Sequence, residues 1–318
     1  TPEGSAKLKR CWYGPKGSDT TIAFMGDSHA IMWLPAARKV AKDEGWRLVT
    51  LFKGGCSPIM GTTPRREFEV DRGRTCRAWR KAAYDWLAKQ DVDLLVVTNT
   101  DSARLMDGSG RLLRGDAALR TWRTGAGKTV KALPDPGRVV IMGDVPHNRG
   151  NPVRCLARSA SDLSRCVNRK EPLKTRDIEL AIRRGAEGAG GQFHTLYDQI
   201  CSYDPCPLIQ GNVLVWRDRH HLTATFTTQL APSFKALVQA GLESATAEVD
   251  APSLEAATND LTAAGEAAAT DMPTASAEPA ASAEASQEPA SEAVVSPAAA
   301  EASPPATSTP DDAPIGAS

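Results

Sequence analysis

Aromatic residues stop at Phe234 and basic residues at Lys235. A stretch without either can neither build a core nor balance its own acids. No apolar run in the 318 residues approaches the roughly 20 needed to span a bilayer as a helix. Seven cysteines occur without one C-x-x-C pair, so zinc-ribbon and thioredoxin-like readings find no support. No repeat of 20–50 residues is visible, which leaves out solenoids and propellers. The chain opens at Thr1 with no initiator Met, charged n-region or apolar h-region. It reads as a piece of something longer.

What is present falls into two parts. Basic and acidic residues balance at 38 each, but 14 of the acids lie from Glu243 onward. Residues 1–242 are therefore strongly basic, and 243–318 are an acidic stretch rich in Ala, Pro, Ser, Thr and Glu. Such a composition predicts a disordered tail. The front part has the length of one sizeable domain. Its basic excess lacks any nucleic-acid reader motif, and no nucleic-acid partner is expected. A solvated surface balancing the acidic tail accounts for the charge, and an anionic surface polymer would suit it equally well.

Cysteine spacing suggests three local bridges: Cys56–Cys76, Cys155–Cys166 and Cys201–Cys206. Disulfides persist in oxidising compartments, so an extracytoplasmic location is expected. Cys11 is left over, either free or paired upstream of Thr1.

Hydrophobic patterning predicts alternating elements after a polar N-terminal arm at 1–19. Strands are expected at Thr20–Met25, Arg47–Phe52, Val92–Val97, Arg138–Met142 and Phe193–Leu196, with a short extended piece at Leu214–Trp216. Helices are expected at His29–Glu44, Cys76–Lys89, Ala117–Leu133, Lys174–Glu187 and Thr223–Leu242. Residues 145–172 read as a loop. In the first helix Ile31, Leu34, Val40 and Ala41 are the expected core positions, and Pro35 should sit in its first turn or bend it. In the second, Trp79, Ala82, Ala83 and Trp86 form the apolar stripe. The alternation implies a flavodoxin-like, three-layer α/β/α domain over about 20–242, with a central parallel sheet. Ligands and catalytic groups in such sheets gather at the carboxyl ends of the strands.

The first strand ends in Gly26–Asp27–Ser28–His29. A serine there either caps the helix or serves as a nucleophile beside free helical N–H groups. Asp218–Arg219–His220–His221 precedes the last helix. Asp218 is placed to orient His221, which can take a proton from a serine hydroxyl, and His220 is the rival base. Oxyanion donors are available at Gly54 and Gly55 after the second strand and at Asn99 after the third. Two other patterns carry no function. Gly125–Ala126–Gly127–Lys128–Thr129 copies the end of a phosphate loop but has Trp122 where glycine is required. The five histidines (His29, His147, His194, His220, His221) show no metal-ligand spacing beyond the adjacent pair, so no metal is expected.

Together these residues resemble the SGNH (GDSL-like) hydrolase superfamily, over roughly residues 10–240. The likeness is closest to extracellular SGNH domains at the C-termini of membrane acyltransferase-family-three proteins. Those share Gly-Asp-Ser-His-Ala (Gly26–Ala30), a Cys after the second strand, another before the next helix, and Arg-Asp-x-x-His-Leu-Thr (Arg217–Thr223). The third block departs, reading Thr98–Asn99–Thr100–Asp101 where the hydrolases have Gly-x-Asn-Asp. The resemblance implies Ser28 as nucleophile, Asp218 and His221 completing a triad, and an oxyanion hole from Ser28, Gly54 or Gly55, and Asn99. It implies O-acylation, chiefly acetylation, of a surface glycan without a cofactor. The acyl donor would come from a membrane acyltransferase domain upstream of Thr1. An esterase acting on such a glycan is the alternative expectation. A glycan-binding module without catalysis and a wall-spanning anchor built on the tail are further ones.

Overall fold

The computed structural model describes residues 5–63, 70–159, 162–166, 168–171 and 176–250. Of the tail expected to be disordered from 243, residues 243–250 instead continue a helix that ends at Asp250, and the rest from 251 lies outside the described residues, as does the expected start of a helix at Lys174.

Six strands form one sheet in the order β1-β3-β2-β4-β5-β6. They are β1 (Cys11–Tyr13), β2 (Thr21–Gly26), β3 (Arg47–Phe52), β4 (Leu94–Thr98), β5 (Val139–Met142) and β6 (Gln192–His194). Strands β2 to β6 are mutually parallel, and β1 runs antiparallel to β3 at the edge. The chain moves outward from β2 to β3, then crosses back to β4 on the other side of β2. The sequence order thus reverses between β2 and β4, which in open α/β sheets is where sites form.

Side chains alternate across each strand and feed two cores. Ile22, Phe24, Leu48, Leu94, Val96 and Val140 pack with α1 (Ser28–Asp43), α7 (Ala224–Gln229) and α8 (Ala231–Asp250). Ala23, Met25, Val49, Leu51, Leu95, Val97 and Ile141 pack against α2 (Val70–Leu87), α3 (Gly115–Val130) and α5 (Asp177–Glu187). This is the expected three-layer arrangement. Short elements complete it: α4 (Pro152–Arg158), α6 (Tyr197–Ile200) and a hairpin of β7 (Ile209–Gln210) and β8 (Val213–Leu214). None of the described helices is long and apolar enough to cross a membrane.

The three bridges form as spacing suggested, at Cα separations of 5.5 Å for Cys56–Cys76, 5.7 Å for Cys155–Cys166 and 4.6 Å for Cys201–Cys206. Cys11 is exposed and free.

Several local expectations need correction. The N-terminal arm contributes a sheet strand, β1, whose exposed Trp12 lies beneath the Arg47 guanidinium. In α1 Val40 and Ala41 are buried as expected, but in the first half of the helix the buried positions are Ala30, Trp33 and Ala37, whereas Ile31 is 39% exposed and Leu34 only half-buried. There tertiary packing chose neighbouring positions over those favoured by side-chain size. Pro35 is the eighth residue of α1, which runs through it. In α2, Trp79 and Ala83 are buried but Ala82 and Trp86 are half-buried. The loop at 145–172 contains α4, which carries Cys155. The closing helix is two, α7 and α8, separated at Leu230. The phosphate-loop imitation lies inside α3, where Gly125 faces the Met60 carbonyl so closely that a Cβ would stand 2.4 Å from it.

Candidate active site

Gly26 closes β2 against β4. A Cβ there would stand 2.1 Å from the Thr98 carbonyl oxygen and 2.5 Å from the Ala30 Cβ, so sheet packing requires glycine. Asp27, 1% exposed, is the N-cap of α1. One of its oxygens accepts from the His29 N–H at 2.8 Å and the other from the Thr100 N–H at 3.1 Å. The capping role weighed for Ser28 therefore belongs to Asp27, which also ties the loop after β4 to the start of α1. Ser28 is the first residue of α1, at the positive end of the helix dipole.

The segment before α7 supplies the second group. Asp218 accepts from the His220 and His221 backbone N–H groups at 3.0 and 2.9 Å. His221 Nδ1 lies 2.8 Å from Asp218 Oδ2. These bonds outweigh burial and bring the Asp218 carboxyl down to about 2. Nδ1 of His221 is thereby committed to Asp218. Its Nε2 is buried and has no hydrogen-bond partner among the described residues, so no Ser28–His221 bond is formed in this resting arrangement. Burial lowers the His221 pKa, despite the opposing Asp218 hydrogen bond.

Gly54 and Gly55 occupy a turn closed by the Cys56 N–H on the Lys53 carbonyl at 3.1 Å. That bond consumes neither glycine N–H. Gly55 has φ of +63°, a conformation natural to glycine. Cys56–Cys76 anchors the end of the turn, and buried Arg80 donates to the Ile59 and Thr62 carbonyls of the segment that follows. Asn99 is buried, and its amide donates to the Thr100 carbonyl at 2.6 Å. One of its two amide hydrogens remains for a ligand.

A second constellation, which sequence spacing does not reveal, lies beside the Asp218–His221 pair. His29, wholly buried, bonds through Nδ1 to Asp144 and through Nε2 to His220 Nδ1, the latter at 2.9 Å. Asp144 also bonds to His147 Nε2 at 2.9 Å and accepts from the Asp101 and Val145 N–H groups at 2.9 and 2.8 Å. Burial opposes charge on His29, but Asp144 prevails and raises it to about 9. Burial likewise opposes charge on Asp144, yet the His29 charge and the His147 and His29 hydrogen bonds hold its carboxyl well below the usual range. Burial and the charges of His221 and His29 bring His220 down to about 4. The adjacent histidines thus face different partners, His220 the His29–Asp144 pair and His221 Asp218.

Four of the five histidines therefore converge, with ring centroids 4.2 to 5.6 Å apart for the contacting pairs. The absence of ligand spacing along the chain did not carry over to space. A signal was available: Asp144–Val145–Pro146–His147 follows β5 as Ser28 follows β2. A cleft of about 400 Å³ adjoins this corner, lined among others by Asp144, His147, Arg176, Glu179 and Tyr197.

A doubly wound sheet with a serine and an Asp–His pair around its switch point defines an α/β protein of the SGNH hydrolase class. The sequence model for the "SGNH domain (fused to AT3 domains)" matches residues 1–236, and the chain belongs to that family. A solved structure with the same fold is the periplasmic domain of a lipopolysaccharide acetyltransferase from Salmonella ser. Paratyphi A. It has a TM-score of 0.53 and 16% identity, covering 70% of this chain and 85% of that one. A proposed acylhydrolase from Bacteroides fragilis gives 0.43 and 12%, covering 72% and 91%. Among curated proteins none matches. Family membership makes acyl transfer or acyl hydrolysis the general class of chemistry, and the chain an enzyme.

Proposed function

We propose that the domain is an extracytoplasmic O-acyltransferase that passes an acetyl group through Ser28 to a hydroxyl of a surface glycan. The observation that carries this reading is the state of His221. Asp218 holds Nδ1 at 2.8 Å, and buried Nε2 has no partner among the described residues. That is the condition of a base waiting for a serine proton.

Ser28 Oγ attacks the acyl carbonyl while His221 Nε2 takes its proton. Asp218 keeps the tautomer and stabilises the imidazolium. The oxyanion is received by N–H groups at Ser28, at Gly54 or Gly55, and by the Asn99 amide. His221 then protonates the leaving group. In the second half the acceptor hydroxyl gives its proton to His221 and attacks acyl-Ser28, and His221 passes that proton to Ser28 Oγ as the Ser28–acyl bond breaks, releasing the ester and the starting enzyme. The residues present need no cofactor for these steps.

The cleft beside His147 supports a sugar as acceptor. Arg176 and Glu179 pair there at 2.7 Å, and Arg176 Nε and Glu179 Oε1 have hydrogen-bonding capacity unspent among the described residues. Such paired groups suit neighbouring sugar hydroxyls. The three disulfides support an oxidising compartment, and the Salmonella structure, by name the periplasmic domain of a lipopolysaccharide acetyltransferase, is in keeping with it. Family fusion to AT3 domains supports a membrane-tethered parent whose membrane part delivers the acyl group.

The test is product partition. Turnover of p-nitrophenyl acetate is followed with and without cell-wall oligosaccharides, and acetylated sugar is measured against free acetate. Acetyl sugar formed at the expense of acetate supports the transferase. Acetate alone, at a rate indifferent to every sugar, makes the protein an esterase.

A further inference from the structure

We propose that His29, His220 and His221 form a binding site for a zinc-class divalent transition-metal ion, and that the bound ion switches off the acyl chemistry by occupying His221 Nε2.

The ligand atoms of the three rings lie within 4.8 Å of one another. Zinc–nitrogen bonds of about 2.0–2.1 Å place tetrahedral ligand nitrogens about 3.3 Å apart. His29 Nε2 and His220 Nδ1, at 2.9 Å, need only a slight parting to reach that spacing. His221 Nε2, buried and unpartnered among the described residues, is the third donor and the reason the cluster points to a ligand.

The surroundings strengthen the case. Histidines that bind metals usually give their other ring N–H to a carboxylate, which fixes the tautomer and raises basicity. Two of these three do so, His29 through Nδ1 to Asp144 and His221 through Nδ1 to Asp218. On binding, the hydrogen shared by His29 and His220 is displaced to solvent, and each ring keeps the N–H on its other nitrogen. An all-imidazole set suits zinc, copper, nickel or cobalt over calcium or magnesium. A fourth position is left for water.

A competing set, His29, Asp144 and His147, is spatially possible. Asp144, however, is already engaged by both imidazoles and by the Asp101 and Val145 N–H groups, which hold two loops together. Coordination there would cost those bonds and take His29 Nδ1 from its carboxylate.

The binding claim stands on geometry, while the inhibitory claim rests on the acyl-transfer reading. The test separates the two. The tag-free 318-residue chain is titrated with Co²⁺, whose tetrahedral complexes with nitrogen give intense visible bands, and then with Zn²⁺ in competition. One equivalent should bind in the wild type and in Ser28→Ala. His220→Asn and His221→Asn should weaken binding at least ~10-fold, and His147→Asn should leave it in place. In parallel, Zn²⁺ should suppress p-nitrophenyl acetate turnover with the same midpoint as binding, and EDTA should restore it. No tetrahedral spectrum in the wild type, binding indifferent to His220→Asn, or binding lost with His147→Asn would overturn the site. Binding without suppression would overturn the switch. An enzyme without any turnover would remove the acyl reading, and the Co²⁺ spectrum would still report on the site.

Discussion

His221 and Asp218 face each other across 2.8 Å, although only two residues separate them in sequence, and the same carboxylate accepts both backbone N–H groups of the His220–His221 pair. A single aspartate thus fixes the backbone, the ring orientation and the tautomer of the base. Asp218→Asn should keep the fold and still misplace the imidazole proton, with kcat falling by roughly 10⁴-fold. Turnover of p-nitrophenyl acetate, with circular dichroism to confirm folding, checks this. A loss below ~10-fold would show that His221 does not depend on Asp218.

The pH profile follows from burial of His221. Burial and the His29 charge lower its pKa, against Asp218, and Arg217 and His220 are its other charged or titratable neighbours. The base must be neutral to act. A lowered pKa therefore extends activity to the acid side, and log kcat/KM should rise to a plateau with its midpoint below the ordinary histidine value of about 6.5. Measured with chelator present, a midpoint above that value would contradict the assignment.

The His29–Asp144 pair should hold the floor of the site. Asp144→Ala would leave the His29 charge buried without a partner, a change that typically costs roughly 3–5 kcal/mol. The pH dependence has a definite sign. His29 is raised to about 9, so the stability it contributes is fully present below the unfolded value of 6.5 and is lost as pH rises through about 9. Urea unfolding at pH 6 and pH 9 should show this decline in the wild type and a flatter response in Asp144→Asn. Equal slopes in the two proteins would mean that the pair is not ionised.

Cys56–Cys76 fastens the Gly54–Gly55 turn to α2. A double Cys56→Ser, Cys76→Ser variant should lose about 2–4 kcal/mol of stability. If the turn supplies oxyanion donors, kcat should also fall at temperatures where the variant remains folded. Unchanged kcat would leave the turn a purely structural element.

Much of this architecture is legible in the sequence because its signals are local. Runs such as Leu94–Thr98 and Val139–Met142 are apolar on both faces, as central parallel strands must be. Asp218 and His221 lie within one turn of chain, and the cysteine pairs close short loops. The rest depends on partners remote in sequence. Cys11–Tyr13 is too short to read as a strand until β3 offers it an edge. Ile31 is apolar and yet exposed, because the sheet accepts the smaller Ala30, Ala36 and Ala37. His29 and His220 are 191 residues apart, and no spacing rule joins them; only the topology sets them 2.9 Å from each other. Asp144 follows β5 as Ser28 follows β2 and Asn99 follows β4, so the rule that points to strand ends reaches it as well.

The central claim is that Ser28 carries the acyl group, and mass spectrometry tests it most directly. The protein is mixed briefly with p-nitrophenyl acetate, quenched in acid and mapped by peptide. The account predicts one acetyl group on the peptide containing Ser28, absent from Ser28→Ala, whose turnover should fall by at least ~10³-fold. Acetylation of another residue with Ser28 unmodified, or undiminished turnover in Ser28→Ala, would contradict it.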